Sequence, residues 1–313
     1  MFKEDNVEQT DVYQYSIATA FICTGLVGLW LHLKNLLRLS ALNSILPRNL
    51  VKLHYCLAVA CLGSISPSPF TALGAYLKRW PFGNFGCHLY GFHGMFFGMT
   101  SIYLSCFICF FTAVDILNLK HGKVAAEGHD RCCFFSFIST VRWLTSKRCN
   151  CVIYGIWAIG LLWAVLPIFG YSKYTLEPHQ TSCLLDWNNL NENHNRTYLY
   201  ALCIIGYVLP VSMAIWSQYM MITQQSMSSP KKTEKNVDKI KMLTKLNNSI
   251  LLITILAWLP FGVLTLNALL SNPIVINPFI YYFPQLLAKV GEALMPIAYS
   301  QTLKRLENCK KAE

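Results

Sequence analysis

Seven apolar stretches, each close to the length a helix needs to cross a bilayer, dominate this chain of 313 residues. The hydrocarbon core of a membrane takes about 20 apolar residues of α-helix. The stretches are Tyr15 to Leu33, Leu50 to Leu77, Cys87 to Val114, Val152 to Tyr171, Tyr198 to Ile222, Leu246 to Leu270, and Ile276 to Tyr299. Between lipid tails a segment must satisfy its own backbone N–H and C=O groups, and the helix does so. Charged residues are 13% of the chain, too few to cover a soluble domain of this length. The expected fold is an all-α membrane protein, a bundle of seven transmembrane helices. Pro67 and Pro69 predict a kink in the second span. Pro278, Pro284, Lys289 and Glu292 interrupt the seventh, whose periodicity alone marks it weakly. The chain divides into an outer N-terminal segment, 1–14, a bundle, 15–300, and an inner tail, 301–313.

Orientation follows from basic residues near the helix ends. Twenty of the 26 lysines and arginines fall in the loops after spans one, three and five and in the tail. Those segments are expected inside, with the N-terminus outside and the C-terminus inside, as in a multi-pass protein of the plasma membrane. The net charge of +11 then gathers on the inner face, where it suits anionic lipid rather than nucleic acid. Residues 1–14 are acidic and polar, unlike a cleavable signal peptide. Of 13 cysteines, Cys87 and Cys183 alone fall at or beyond the outer face, the oxidising side. A bond between them would tie the top of span three to the long outer loop, contributing about 4–5 kcal/mol in the chain-entropy model. Asn195-Arg196-Thr197 is a glycosylation acceptor sequence on the same side.

The loop from Asn118 to Asn150 mixes aromatics and bases, which suits a segment lying on the inner membrane surface. His129, Cys132, Cys133, Cys149 and Cys151 do not match a zinc-ligand spacing, so no metal site is expected. Reversible acylation is the better reading for these thiols and for Cys309. Gln301 to Leu306 reads as a short amphipathic helix after span seven, with Cys309 placed to anchor its end.

Lys289 and Glu292 carry the chemistry. A charge deep in a bilayer costs several kcal/mol and marks a functional position by default. Three residues apart on a helix, the two share a face. One reading is an internal ion pair without a ligand. The other is a Schiff base between the Lys289 amine and an aldehyde. Trp258 sits at a helical proline, Pro260, in span six. Tyr90 lies one turn below Cys87, and Glu177 precedes Cys183 by six residues. A buried iminium needs an anion or strong dipoles nearby.

The resemblance rests on several segments together. Arg79-Trp80-Pro81-Phe82-Gly83 leads into Gly86-Cys87, and Phe96-Phe97-Gly98-Met99-Thr100-Ser101-Ile102 follows. Glu177-Pro178 precedes Thr181-Ser182-Cys183 and Asp186-Trp187; Trp258-Leu259-Pro260 stands in span six; Leu287-Ala288-Lys289 with Pro296 and Tyr299 stands in span seven. From about Pro47 to Tyr299 the chain resembles the opsins, rhodopsin-like G-protein-coupled receptors, and most the branch of neuropsin, peropsin and the retinal G-protein-coupled receptor. The resemblance implies a rhodopsin-like bundle with retinal, 11-cis or all-trans, attached at Lys289. It implies Glu177 as counterion, with Glu292 the second choice, and Tyr90 and Trp258 as pocket walls.

Departures from the family cluster in the inner half. The Asp-Arg-Tyr at the foot of span three falls on Phe111-Thr112-Ala113, and Asp115 is followed by Ile116 and Leu117. The span-two aspartate becomes Cys61, and Asn-Pro-x-x-Tyr reads Met295-Pro296-Ile297-Ala298-Tyr299. The resemblance thus implies a photoreceptor of the G-protein-coupled type, and the departures leave coupling to a heterotrimeric G protein in question. The alternatives are a retinal photoisomerase without signalling and a receptor-like protein without retinal.

Overall fold

The computed structural model describes residues 2–124, 146–177, 180–187, 193–226, 234–270 and 279–312. Span one is α1, Phe2–Arg38, followed by a 3-10 turn, Leu39–Ser44. Span two is α2, Arg48–Ile65, and α3, Ser68–Leu77, broken at Ser66–Pro67. Proline lacks the N–H that would continue the ladder, so the break falls where the two prolines predict it. Span three is α4, Gly83–Val124, and span four is α5, Ser146–Val165. Span five joins α6, Asn193–Ala201, to α7, Leu209–Ser226, through a π turn, Leu202–Val208. Pro210 offers no N–H to Gly206 one turn back, and the wider turn takes up that mismatch. Tyr103 in α4 pins this turn: its hydroxyl donates to the Ile205 carbonyl at 3.1 Å and accepts from Trp163 Nε1 at 3.0 Å. Span six is α8, Glu234–Leu270, and span seven is α9, Phe279–Ala312.

Six of the described helices are long and apolar enough to cross a membrane. The seventh, α9, holds Lys289 and Glu292 inside its apolar stretch and completes the bundle. Span three is central, packing against spans two, four, five and six, while span seven packs on one, two and six. Apolar side chains such as Leu26, Trp30, Phe169 and Leu252 face outward, whereas His32, His54, Ser101, Thr112 and Asn247 are buried. A soluble protein has the reverse arrangement; a bilayer solvates the first set, and packed helices shelter the second.

The outer loop folds into an antiparallel hairpin, β1, Tyr174–Leu176, and β2, Cys183–Leu185. Cys87 and Cys183 are bonded, with Cα atoms 5.3 Å apart, so β2 is stapled to the outer end of α4. At the inner end, residues 301–306 are helical but continue α9 without a break, unlike the separate helix expected after Tyr299. No glycine or proline follows Pro296 to interrupt it. Leu303 and Leu306 join the core cluster that also holds Leu39 and Leu42, which gives this end an apolar face to pack. The aromatic and basic part of the second inner loop, with His129, Arg131, Cys132 and Cys133, lies outside the described residues, as do Lys231, Lys232 and Ile276–Pro278. Cys309 falls within α9, and its side chain is outside the described ones.

Candidate functional site

A cavity of about 970 Å³, its mouth included, lies between spans three, five, six and seven beneath the hairpin. Met95, Met99, Tyr207, Trp258, Phe261 and Leu185 supply apolar wall, and Lys289 reaches it from span seven. Such a lining, apolar with one amine reaching in, is that of a site for a largely apolar small molecule. Lys289 is 8% exposed, and its amine donates to the backbone carbonyl of Ser64. That carbonyl lies beside the proline break in span two, where the helix's own ladder is interrupted. Glycines set the wall: a Cβ on Gly98 would collide with the Trp258 indole, and one on Gly91 with the Tyr174 ring. Gly94 faces open space instead.

Below Lys289, Glu292 is 2% exposed and gathers side chains from three other spans. Its Oε1 accepts from the Ser101 hydroxyl and from Trp258 Nε1, the latter at 3.2 Å. The Cys61 thiol of span two lies beside this carboxylate. Span one reaches the same turn, His32 Nε2 donating to the Glu292 carbonyl at 2.9 Å. The carboxylate that span two lacks at Cys61 is therefore supplied beside it by span seven. Trp258 both lines the cavity and holds Glu292.

Glu177 is placed differently. It is 4% exposed at the end of β1, and its Oε1 accepts from Thr181 N and Thr181 Oγ1, both 2.8 Å, and from the Tyr282 hydroxyl at 3.4 Å. These bonds close the hairpin turn onto the outer end of span seven, where Gln285 also donates to Ser182 Oγ at 3.0 Å. Glu177 is not among the residues lining the cavity. Tyr90 lines it, with its ring against Trp80 and its hydroxyl bonded to Thr71 Oγ1 at 2.5 Å. The Cys87–Cys183 bond packs against Tyr90, and Cys183 forms part of the roof.

Two further positions bear on the sequence reading. Asn195 is 4% exposed; its carboxamide donates to the Asp186 carbonyl at 3.1 Å and accepts from Ser172 Oγ at 2.8 Å. The nitrogen a glycan would be joined to is thus engaged inside the folded outer loop. In the inner half, His54 and Tyr299 are hydrogen-bonded at 2.9 Å with their rings at right angles. Sequence reasoning passed over Ser64, Ser101, His32 and His54. The signal was there for the histidines, polar residues inside apolar stretches, but their partners are some 245 to 260 residues away in sequence.

The model of the 7 transmembrane receptor (rhodopsin family) matches residues 129–299. Opsin-5 of Mus musculus is 28% identical over 263 residues, covering 81% of this chain and 64% of that protein. Opsin-5 of Homo sapiens is 29% identical, covering 78% and 66%. The visual pigment-like receptor peropsin of Mus musculus is 24% identical, covering 74% and 64%. The chain therefore spans a little under two thirds of the length of these curated relatives. In shape it is similar to the crystal structure of squid rhodopsin, with a TM-score of 0.74 at 21% identity over 95% of this chain and 84% of that one. A seven-span bundle, a lysine facing an apolar cavity and a family match over more than half the sequence agree: the chain belongs to the rhodopsin family of seven-transmembrane receptors, among the opsins near the neuropsin and peropsin branch.

Proposed function

We propose that this chain is a photoreceptor that holds retinal as a Schiff base on Lys289. The observation that carries the reading is the Lys289 amine, buried and reaching an apolar cavity beneath the outer hairpin. Once bound, retinal supplies absorption of light and isomerisation of a double bond. The protein's part is to shelter the linkage, shape the space and respond to a change in it. Ser64 holds the amine in place, the hairpin roof excludes water, and Tyr207, Trp258 and Phe261 provide a flat-sided wall. Trp258 is the residue through which a change in the cavity reaches the inner bundle, because its indole N–H is bonded to Glu292. A ligand shifts a helix packing only by the difference in its contacts with the two packings.

A second reading, a photoisomerase with little or no coupling to a G protein, is favoured by the inner half. Phe111-Thr112-Ala113 offers no arginine at the foot of span three, and Tyr299 is held by His54. The bundle, 15–300, the outer N-terminal segment, 1–14, and the inner tail, 301–313, remain our proposed division, with the N-terminus outside a plasma membrane. Cys309 acylation belongs to the same proposal.

The test is to express the chain, add 11-cis and all-trans retinal separately, and record difference spectra before and after light. A light-sensitive band that Lys289→Ala abolishes is the expected result. A retinal band that survives both Lys289→Ala and denaturation refutes the attachment site.

A further inference from the structure

We propose that the acid answering the cation on Lys289 is Glu292, on the inner side of the cavity, and not Glu177 of the outer loop. The proposal rests on the retinal reading above. When the amine condenses with an aldehyde, a C=N bond forms, water leaves, and the protonated nitrogen carries one positive charge. That charge sits where bulk water cannot screen it, so a nearby anion decides whether the proton stays.

The geometry favours Glu292 on three counts. It lies three residues from Lys289 on the uninterrupted helix α9, hence on the same face one turn away. Its charge is the acidic one acting on Lys289 in the structure. Its Oε1 is held by Ser101 and Trp258, while Oε2 has no hydrogen-bond partner among the described residues, though the residue is buried. A buried carboxylate oxygen left in that state needs a donor or a cation. Glu177, by contrast, has an oxygen already taking three donors from Thr181 and Tyr282, at the turn of the outer hairpin. Tyr90 brings a neutral hydroxyl, committed to Thr71. The other titratable group facing Lys289 is His93 of span three, bonded to Ser66 Oγ at 3.4 Å, and it offers no negative charge. Besides Lys289, the titratable neighbours of Glu292 among the described residues include Cys61 and His32, the latter bonded to its carbonyl.

One acid then serves two purposes. Upward it faces the cation; sideways it ties spans three and six through Ser101 and Trp258, with Cys61 of span two beside it. Any shift of the Trp258 ring removes a donor from the group that neutralises Lys289.

The test has two arms, both on the full chain in lipid nanodiscs. Without retinal, thermal midpoints are measured for Lys289→Met, Glu292→Gln and the double variant. Pairing predicts that the double variant loses clearly less than the sum of the single losses, since each single change strands a buried charge. Additive losses overturn the proposal. With retinal, Glu292→Gln should move the dark band toward the near-ultraviolet at neutral pH, while Glu177→Gln leaves it in place. The opposite result overturns the proposal. If Glu292→Gln does not accumulate, Glu292→Asp, which draws the anion back by one methylene, should displace the band; an unmoved band counts against Glu292. Coupling in the first arm with no retinal band from the unaltered chain would leave the pair standing and remove the retinal reading instead.

Discussion

Replacing both Cys87 and Cys183 by alanine should loosen the roof of the cavity more than any single polar change in the outer loop. The two residues are 96 apart in sequence. Closing a loop of that size lowers the entropy of the unfolded chain by about 4.7 kcal/mol at 25 °C in the chain-entropy model. That figure is a ceiling, because inserted helices already restrain the loop's ends in the denatured state. The competing restraint is the Glu177 clasp. Glu177→Ala removes a charged acceptor from the Thr181 N–H, the Thr181 hydroxyl and the Tyr282 hydroxyl, and strands the buried N–H. Hydrogen bonds to a charged group contribute about 1.5–3 kcal/mol each but are not additive, so a loss of about 2–4 kcal/mol is expected. The covalent bond should therefore contribute more than the clasp, and reductant should reproduce the effect in the unaltered chain. Thermal denaturation in nanodiscs with and without reductant, beside peptide mapping of Cys87 and Cys183, measures this. Two free thiols in a chain that keeps its unreduced midpoint would refute the reasoning, as would a larger loss from Glu177→Ala than from the double alanine variant.

Three further outcomes follow from the cavity and the inner half. Gly98→Val, which drives side-chain atoms into the Trp258 indole, should cost about 1–3 kcal/mol as overpacking and shift any retinal band. Gly94→Ala, where no protein atom lies within 4 Å, should be neutral or gain up to about 1 kcal/mol of helix propensity in the retinal-free chain, read by thermal midpoint. Light-driven nucleotide exchange on purified, retinal-loaded chain should be weak or absent with each major G-protein class; exchange at receptor-like rates would remove the photoisomerase reading.

The seven spans and the break in span two were legible because hydrophobic length and proline act locally. Tyr15 to Leu33 and the other stretches need only their own residues to be recognised, and Pro67 interrupts a ladder whose bonds reach only one turn back. The helices' true reach was not legible. α4 runs on to Val124 and α9 to Ala312, beyond the apolar stretches, because polar residues continue a helix once it leaves the lipid. The π turn had a sign in Pro210, but which turn absorbs the mismatch depends on Tyr103 meeting Ile205 across the bundle. Lys289 was legible as a charge in the wrong solvent. Its company was not: Ser64 is 225 residues away in sequence and Ser101 is 191 from Glu292. The count of six residues from Glu177 to Cys183 located a loop position, but could not say that Thr181 and Tyr282 occupy its carboxylate.

The inner half shows how a family position can empty without the site losing its character. Cys61 stands where the resemblance puts an aspartate, and Met295 where it puts an asparagine, so two polar groups leave the centre of the bundle. Burying a polar group without a partner is costly, and the lack of a carboxylate in span two would by itself leave the Trp258 N–H without an acceptor there, whereas the Ser101 hydroxyl also reaches the Gly98 carbonyl. Glu292 supplies one from span seven, which places it one turn from Lys289. The acid is thereby moved from span two to a position one turn from Lys289, outside the cavity lining. Below it, His54 holds Tyr299, and no arginine stands between Cys87 and Asp115 to exchange partners. A two-state switch needs groups with different contacts in each state. Here the group with that capacity, through Trp258, is Glu292. With retinal joined at Lys289 as proposed, a response to light is expected first at that linkage, and only through Glu292 in the helices beneath it.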